Sequence, residues 1–344
     1  MKERVGGLGC VFVTRQVTSP VVAKDVMIDR PQLFQKEGTA FFPNSSLAGN
    51  GLLVSDGDVW RRQRRLSNPA FRTAAVTSYA HAMTEATSRL LDDRWTDGVR
   101  RDVYADFNDL SLTIVTEALF GTGIEDESDQ REIREAIAEA FEFFGRRAGG
   151  GMAVPEWMPT PENVRFMAAV RRLDQLVYAL IARRRAHQAA QAVKGAVVGE
   201  GEHMTEGGAT AAAEAERDGL LDWLLAARDD GDGGDGGGMS DTALRDEMNT
   251  LIIAGAETTA ISLSFTCALL AQHPAVADRV GREAEEVLGS RRRPVASDYA
   301  ALPFTQAVVL EVLRLLPPAY MVRPPYHGAT ALPASGQAFI SFPP

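Results

Sequence analysis

Apolar residues recur at helical spacing along most of the chain from residue 55 onward, which predicts a mainly α fold. Ser55 with Asp58 three residues later resembles a capping box that begins the first helix, and Asn68-Pro69 ends it. Besides one longer helix, the predicted helices span about residues 55–66, 74–95, 102–120, 128–144, 161–193, 218–229, 276–288 and 303–316. No internal repeat accompanies this pattern.

Two parts of the chain depart from the helical pattern. Short β-favouring runs at 11–13 and 21–22 predict a small β-rich part near the N-terminus. Residues 195–239 predict a flexible loop, a short helix and a linker, because 195–217 is small and polar and 230–238 is mostly glycine. No strand precedes the glycine run and no Gly-Lys-Ser/Thr ends it, so it does not match a phosphate-binding loop.

Composition narrows the class of protein. The chain has 344 residues, of which 45% are hydrophobic and 24% are charged, as in a globular protein with a core. A net charge of −10 argues against a nucleic-acid binder. The two cysteines, Cys10 and Cys267, cannot form a disulfide framework and fit a reducing compartment.

The longest predicted helix raises the question of a membrane span. Ser240 or Asp241 caps it and Pro274 ends it, which leaves about 32 residues, or about 48 Å. Within it, residues 251–271 carry one formal charge, Glu257, and match the roughly 20 residues that cross a bilayer. Several hydroxyl side chains and the central carboxylate favour a buried helix of a soluble protein. A helical membrane protein with this span is the alternative.

The first motif lies in the first helix. Trp60 and Arg64 are four residues apart and share a helix face. A guanidinium is suited to bidentate contact with a carboxylate, and an indole N–H donates to the same anion. Taken alone, the pair also fits a surface helix with a half-buried tryptophan and solvated arginines.

The second motif lies in the middle of the longest helix. Ala254-Gly255-Ala256 removes side-chain bulk, so that a flat ligand can lie against the backbone. The Thr258 hydroxyl is able to bond the preceding helical turn and open the backbone ladder to water. Glu257 beside it offers a carboxylate that passes protons inward. The alternative interpretation is an ordinary buried helix with Glu257 at its polar edge.

The third motif is a pair of opposite charges near residue 311. Glu311 and Arg314 are three residues apart, close enough for an ion pair. An exposed pair at this spacing contributes little to stability. Apolar residues on nearly every side of this helix instead predict a buried helix in which the pair must be satisfied.

Together the three motifs resemble those of the cytochrome P-450 family, the haem-thiolate monooxygenases. The resemblance covers about residues 12–322 and implies one P-450 domain, mainly helical with a small β-rich part near the N-terminus. It implies that Trp60 and Arg64 bind a haem propionate. It implies that 254–259 is the distal helix motif for oxygen binding and activation, with Glu257 and Thr258 catalytic and Ala254 and Gly255 against the haem. It also implies that Glu311 and Arg314 form a structural pair on the proximal side.

The chain departs from the family pattern near its end. The family's haem-binding loop, a Phe-x-x-Gly run leading to a cysteine, is not found before Pro344, so the domain at 1–344 is expected to be incomplete. Neither cysteine has glycine-rich surroundings, so we expect no iron ligand among the residues given. After Val322 the tail at 323–344 continues with Arg323-Pro324-Pro325. The two prolines disfavour strand pairing because they lack a backbone N–H donor. Arg323 is a weaker candidate for a propionate contact, and we expect the tail to come from a truncated or mistranslated gene model.

The resemblance also implies a function. It implies a haem-dependent monooxygenase that hydroxylates a lipophilic small molecule with O2 and electrons from an NADPH-dependent reductase or a ferredoxin. The basic residues Arg61, Arg62 and Arg65 are candidates for docking that partner, although a solvated helix face explains them equally. The substrate is left open among sterols, fatty acids, carotenoids and terpenoids. The alternative is an inactive P-450-like fragment without haem, and membrane association is left open for the full-length protein.

Overall fold

The chain folds into packed helices in a computed structural model that describes residues 19–30, 46–121, 127–148, 156–198, 219–228, 237–289 and 292–319. The helices are α1 (Pro20–Lys24), α2 (Gly57–Ser67), α3 (Thr73–Ser78), α4 (Ala80–Arg94), α5 (Val103–Phe120), α6 (Glu127–Ala148), α7 (Pro161–Val198), α8 (Leu220–Ala226), α9 (Asp241–Gln272), α10 (Pro274–Leu288) and α11 (Pro303–Leu315). One π-helical turn at Asp25–Asp29 and two 3-10 turns at Asn68–Phe71 and Ala296–Ala301 accompany them.

Most predicted helices are confirmed, and two caps explain where they begin. The Asp102 carboxylate accepts hydrogen bonds from the amides of Tyr104 and Ala105 at 3.1 and 3.2 Å and begins α5. The Ser240 hydroxyl accepts from the amide of Ala243 at 3.1 Å and begins α9, which has 32 residues as predicted. Asp and Ser side chains that can accept from the free backbone amides at a helix start are recognisable in the sequence, so the starts of these two helices can be predicted from it.

Four details of the prediction are wrong. The helix predicted at 74–95 is two helices, α3 and α4, which meet at the buried Tyr79. The predicted capping box is not formed, because Asp56 rather than Ser55 is the N-cap of α2, and its side chain makes no capping hydrogen bond to the helix. Helix α7 continues to residue 198, past the predicted start of the flexible loop at 195. The run at 21–22, predicted as β-favouring, lies in α1.

Other predicted segments fall outside the described residues. They are the β-favouring run at 11–13, the stretches at 199–218 and 229–236 of the predicted flexible region, and the tail at 323–344.

The main core lies where α9 packs against α5, α7 and α8, with α6 beside α7. Fully buried apolar side chains come from several of these helices: Leu112, Ile133, Phe166, Leu173, Leu221, Leu244, Met248 and Ile252. The rings of Phe143 and Phe166 stack 4.0 Å apart and join α6 to α7. A smaller cluster between α4, α5 and the second half of α9 contains Leu90, Phe107 and Ala260. The first half of α9 is therefore the centre of the fold.

A polar clamp ties the segment before α2 to α9. The amide of Asn50 donates to the Asp246 carboxylate at 2.9 Å, and the amide of Leu52 donates to the Glu247 carboxylate at 3.1 Å. Arg245, also buried, donates to the carbonyl of Ser46 at 2.6 Å. Residue 52 is five positions before α2 begins, so the clamp fixes where α2 leaves the surface of α9.

Helix α9 is the one helix in the described part of the chain that is long and apolar enough to cross a membrane. Its first half instead buries the polar residues Arg245, Asp246, Glu247 and Asn249 within the protein. Asn249 donates to the carbonyl of Leu47 at 3.0 Å, which places this half of the helix inside a hydrogen-bonded core. These contacts support the core-helix interpretation for the first half of α9, whereas 17% of the apolar stretch that could span a membrane is buried.

Candidate haem site

Helix α2 presents Trp60 and Arg64 on its outward face. Its inward face carries Gln63, Leu66 and Ser67, which are buried. The Trp60 side chain is 38% exposed, and Arg64 is exposed. Within the described part of the chain, the Arg64 guanidinium makes no ion pair or hydrogen bond. A guanidinium and an indole on one helix face suit a carboxylate, and the predicted propionate contact of Trp60 and Arg64 stays a prediction.

The predicted basic stripe on α2 is not uniform. The Arg61 guanidinium pairs with the carboxylate of Asp58 at 2.5 Å, and both side chains are largely exposed. Arg62 is half-buried, and it donates to the carbonyls of Gly237 and Gly238 at 3.3 and 3.2 Å. Arg62 therefore holds α2 to the segment that leads into α9, while Arg61 remains at the surface.

The middle of α9 has an open, hydroxyl-lined face. The Thr258 hydroxyl donates to the carbonyl of Ala254 at 2.5 Å, which is the predicted bond to the preceding turn. Ser262 donates to the carbonyl of Thr258 at 2.8 Å, and Thr266 donates to that of Ser262 at 2.7 Å. Ala254 is exposed, so this face offers small and hydroxyl side chains with room beside them.

Gly255 lies at a helix contact. A Cβ atom on Gly255 would lie 2.6 Å from Cγ2 of Val115 on α5, closer than real Cβ atoms approach. The close packing of α9 on α5 therefore accounts for the glycine, and its contact with a cofactor stays a prediction. Ala254 is the small residue of this motif on the open face.

Glu257 belongs to a different face of α9. Its carboxylate accepts a hydrogen bond from the Tyr104 hydroxyl of α5 at 2.5 Å. Burial and the hydrogen bond to this carboxylate raise the pKa of Tyr104 well above its usual range. Glu257 and Tyr104 line a cavity of about 260 Å³ between α5, α6 and α9, together with Asn108, Leu112, Arg134, Ile137, Ala138, Phe141 and Ala256.

Tyr104 is a site residue that the sequence did not indicate. It lies 153 residues from Glu257, and no motif joins them. The signal in sequence is limited to its position near the predicted start of the helix at 102–120, which says nothing about α9.

Glu311 and Arg314 form the predicted ion pair, although its surroundings differ from the prediction. Nε and Nη2 of Arg314 donate to the two carboxylate oxygens of Glu311 at 2.7 and 2.6 Å, a bidentate geometry. This bond holds the pKa of the Glu311 carboxyl below its usual value. The side chains are 54% and 66% exposed, and Val312 is the buried residue of α11. The prediction of a buried helix is therefore wrong for α11 in the described structure, since apolar side chains such as Leu310 face outward.

The cysteine within the described residues is not suited to bind iron. Cys267 is half-buried on α9 against the smaller core cluster, and burial raises the pKa of its thiol. A metal ligand must be the thiolate, which such a setting disfavours. Cys10 lies outside the described residues. The described residues thus fit the carboxylate edge and the distal face of a haem, and no described thiolate is set to bind its iron.

Helix α9 carries the small and hydroxyl side chains, and helix α2 carries the exposed indole and guanidinium, that the predicted haem site requires. The family model of Cytochrome P450 matches residues 12–325, so the chain belongs to the cytochrome P450 family.

Relatives and solved structures agree with this assignment. Cyclooctat-9-en-7-ol 5-monooxygenase of Streptomyces melanosporofaciens is 32% identical over 302 residues, which are 88% of this chain and 58% of the relative. Pentalenene oxygenase of Streptomyces avermitilis is 29% identical over 301 residues, or 86% and 58% of the two chains. The crystal structure of the cytochrome P450DA heme domain matches with a TM-score of 0.67 at 24% identity, over 86% of this chain and 58% of that one. The mainly α P450 fold is therefore confirmed, and the chain spans 58% of the length of these relatives.

Proposed function

We propose that this chain is the helical part of a haem-dependent monooxygenase that hydroxylates a lipophilic small molecule with O2. The observation that carries the proposal is the hydroxyl-lined face in the middle of α9. There the Thr258 hydroxyl bonds the carbonyl of Ala254 on an exposed face, next to the carboxylate of Glu257. This arrangement combines a place for a flat ligand with a hydroxyl and an acid, the groups that proton transfer requires.

The residues of α2 bind and orient the cofactor in this proposal. The unpaired Arg64 guanidinium and the exposed Trp60 indole donate to the propionates, which fixes the plane of the haem. Ala254 leaves space for that plane on the side of α9. A haem bound in this family through a cysteine thiolate supplies the O2-activating chemistry.

The residues of α9 handle protons. Thr258 keeps its hydroxyl on this turn through its bond to the carbonyl of Ala254. Glu257 holds a carboxylate between this turn and the cavity shared with α5 and α6. The two side chains therefore lie on neighbouring faces of the helix, about 100° apart, and Glu257 brings protons from the cavity side toward the Thr258 side.

We propose a lipophilic substrate and an acidic electron donor. The relatives named for cyclooctat-9-en-7-ol and pentalenene act on compounds whose names denote alkenes. A compound of that kind suits a site between apolar helices. The exposed Arg61 and Arg65 of α2 remain the candidates for contact with a ferredoxin or a reductase.

The spectrum of the reduced protein with carbon monoxide tests the proposal first. The purified protein, supplied with haem, is expected to show a Soret band, and a band at the thiolate-ligated position would identify a cysteine ligand outside the described residues. With that ligand in place, it is expected to oxidise pentalenene or cyclooctat-9-en-7-ol with a ferredoxin and its reductase. Absence of both signals would favour the haem-less fragment instead.

A substitution tests the role of the Thr258 hydroxyl. We expect Thr258→Ala to lower the product formed per electron by at least about tenfold, since positioned proton transfer is worth roughly 10²–10⁴-fold. Thr113→Ala is the matched control, because the Thr113 hydroxyl bonds the carbonyl of Asp109 in the same way on α5, at 2.9 Å. Equal effects of the two substitutions would contradict a role for Thr258 beyond helix structure.

A further inference from the structure

The hydrogen bond between Tyr104 and Glu257 joins two helices at a cavity. Tyr104 is the second residue of α5, and its hydroxyl lies 2.5 Å from Oε1 of Glu257 in the middle of α9. The Tyr104 side chain is 40% exposed, so it stands where the cavity meets solvent. The bond thus lies on the path between bulk water and the acid of α9.

The cavity is large enough for water. Its volume of about 260 Å³ exceeds the roughly 30 Å³ that one water occupies in the liquid. Its polar lining consists of Tyr104, Asn108, Arg134 and Glu257, while the other side chains around it are apolar. Water in such a cavity has the several polar partners that ordered water needs.

The charges around the cavity single out Tyr104 as the partner of Glu257. Arg134 of α6 also lines the cavity, but its guanidinium pairs with the carboxylate of Asp109 at 2.7 Å. Asp102 lies near Tyr104 at the start of α5 and accepts hydrogen bonds from backbone amides. Among the described residues, the phenol of Tyr104 is therefore the group that donates to the Glu257 carboxylate.

We propose that Tyr104 is a positioning residue that holds the Glu257 carboxylate in the cavity between α5, α6 and α9, where it takes protons from solvent. The inference rests on the proposed monooxygenase function. Thr258 does not line the cavity. The tyrosine therefore keeps the Glu257 carboxylate on the cavity side of α9 until a proton is passed toward Thr258. Loss of the phenol hydroxyl frees the carboxylate to turn, and proton transfer is no longer tied to the cavity.

NMR of the purified chain, without cofactor, tests the positioning directly. The six tyrosines are labelled with ¹³C at Cζ, and Tyr104→Phe identifies the signal of Tyr104. Donation to a carboxylate moves a tyrosine Cζ signal toward the tyrosinate position. We expect this displacement in the wild type and its loss in Glu257→Gln, whose side chain has the same shape. The signal of Tyr178, which is also 40% exposed and lies on α7, serves as the control and is expected not to move.

Two results of the NMR experiment would overturn the proposal. One is a Tyr104 signal at the position of the Tyr178 signal in the wild type. The other is a displaced Tyr104 signal that Glu257→Gln leaves in place. Either result shows that the phenol does not hold the carboxylate.

A second measurement addresses the functional consequence. In the haem-loaded protein, Tyr104→Phe is expected to lower the product formed per electron by up to about tenfold and to change its dependence on pH, because a general acid contributes roughly 10²–10⁴-fold. Tyr178→Phe is expected to match the wild type. An unchanged yield and pH profile in Tyr104→Phe would contradict the positioning role. A wild type without any oxidation would contradict the proposed function instead, and the NMR comparison would still decide the Tyr104–Glu257 pair.

Discussion

Ala254 and Gly255 are neighbours in one helix and serve different purposes. Ala254 is exposed and its carbonyl accepts the Thr258 hydroxyl, whereas Gly255 lets α9 approach α5 closely. From the sequence alone, both residues are interpreted in the same way, as positions that lack side-chain bulk. The structure separates them because residues one position apart point about 100° apart around a helix.

The contact at Gly255 gives a prediction about stability. Gly255→Ala is expected to destabilise the protein by about 1–3 kcal/mol relative to Gly281→Ala, because the new Cβ overlaps Val115. Gly281 lies within α10 with nothing within 4 Å of a built Cβ, so both substitutions share the gain in helix propensity. Urea unfolding measures the difference in the free energy of unfolding between the two variants. Equal midpoints would show that Val115 moves aside at little cost.

Single residues were predictable where the chemistry is local. The bond from Thr258 to Ala254 spans four residues, as does the shared face of Trp60 and Arg64, so both followed from helical spacing. Tyr104, the partner of Glu257, could not be predicted from helical spacing, because it lies on another helix. The exposure of Glu311 and Arg314 also escaped prediction, since it depends on what packs against α11.

At the level of elements, helix ends are held by side chains of other helices. Glu283 of α10 accepts hydrogen bonds from the amides of Phe304 and Thr305 at 2.8 and 2.7 Å, and from the Thr305 hydroxyl at 2.6 Å. It thereby caps the start of α11, while the Arg279 guanidinium lies 3.8 Å from the centre of the Phe304 ring. A cap from another helix joins two elements and leaves no pattern in the sequence.

The Glu283 cap predicts a pH dependence of stability. Burial raises the pKa of the Glu283 carboxyl, but the hydrogen bonds from Thr305 and the Phe304 amide outweigh it and leave the pKa below 4.5. A carboxyl with a lowered folded-state pKa stabilises the fold above its unfolded value, and this stabilisation is lost as the pH falls through the folded value. We therefore expect Glu283→Gln to be less stable than the wild type at neutral pH, with the difference shrinking below about pH 4.5.

Denaturant unfolding across that pH range measures the effect. Glu286→Gln is the control, because Glu286 is exposed on the same helix and makes no side-chain bond within the described residues. A Glu283→Gln deficit that stays constant down to acidic pH would show that the carboxylate charge has no part in the cap.

Predicted elements were correct where periodicity and caps agree and wrong where tertiary packing intervenes. Helices α5 and α9 begin at the residues that their caps indicate. The break between α3 and α4 follows from the burial of Tyr79, whose hydroxyl points toward the carbonyl of Ala70 at 3.5 Å. Nothing in the local sequence separates that tyrosine from others on a continuous helix.

At the scale of the whole molecule, the clamp between residues 46–52 and α9 sets the geometry of the site. Arg245 joins it to α7 through an ion pair with Asp174 at 2.5 Å. Three buried charged side chains of α9 are thus paired with backbone or with an opposite charge, as buried charges must be. The mainly α fold class was predictable from periodicity and motif order. The clamp was not, because its parts lie about 195 residues apart.

The clamp predicts how the protein behaves with membranes. We expect alkaline carbonate to release the chain from membranes, because the polar first half of α9 is bonded within the protein and cannot lie in lipid. Immunoblotting of the pellet and the supernatant measures this, with an integral membrane protein as the control. Retention in the pellet would favour the membrane-span interpretation of α9.

Haem titration of the purified protein tests the central claim most directly, since it asks whether α2 grips an anionic cofactor against α9. We predict saturable binding that Arg64→Gln weakens by roughly tenfold or more, the value of a charge-assisted hydrogen bond, while Arg61→Gln binds as the wild type does. Arg61 is the matched control because it lies on the same helix and pairs with Asp58. Equal affinities for the wild type and Arg64→Gln, or no saturable binding at all, would contradict the account.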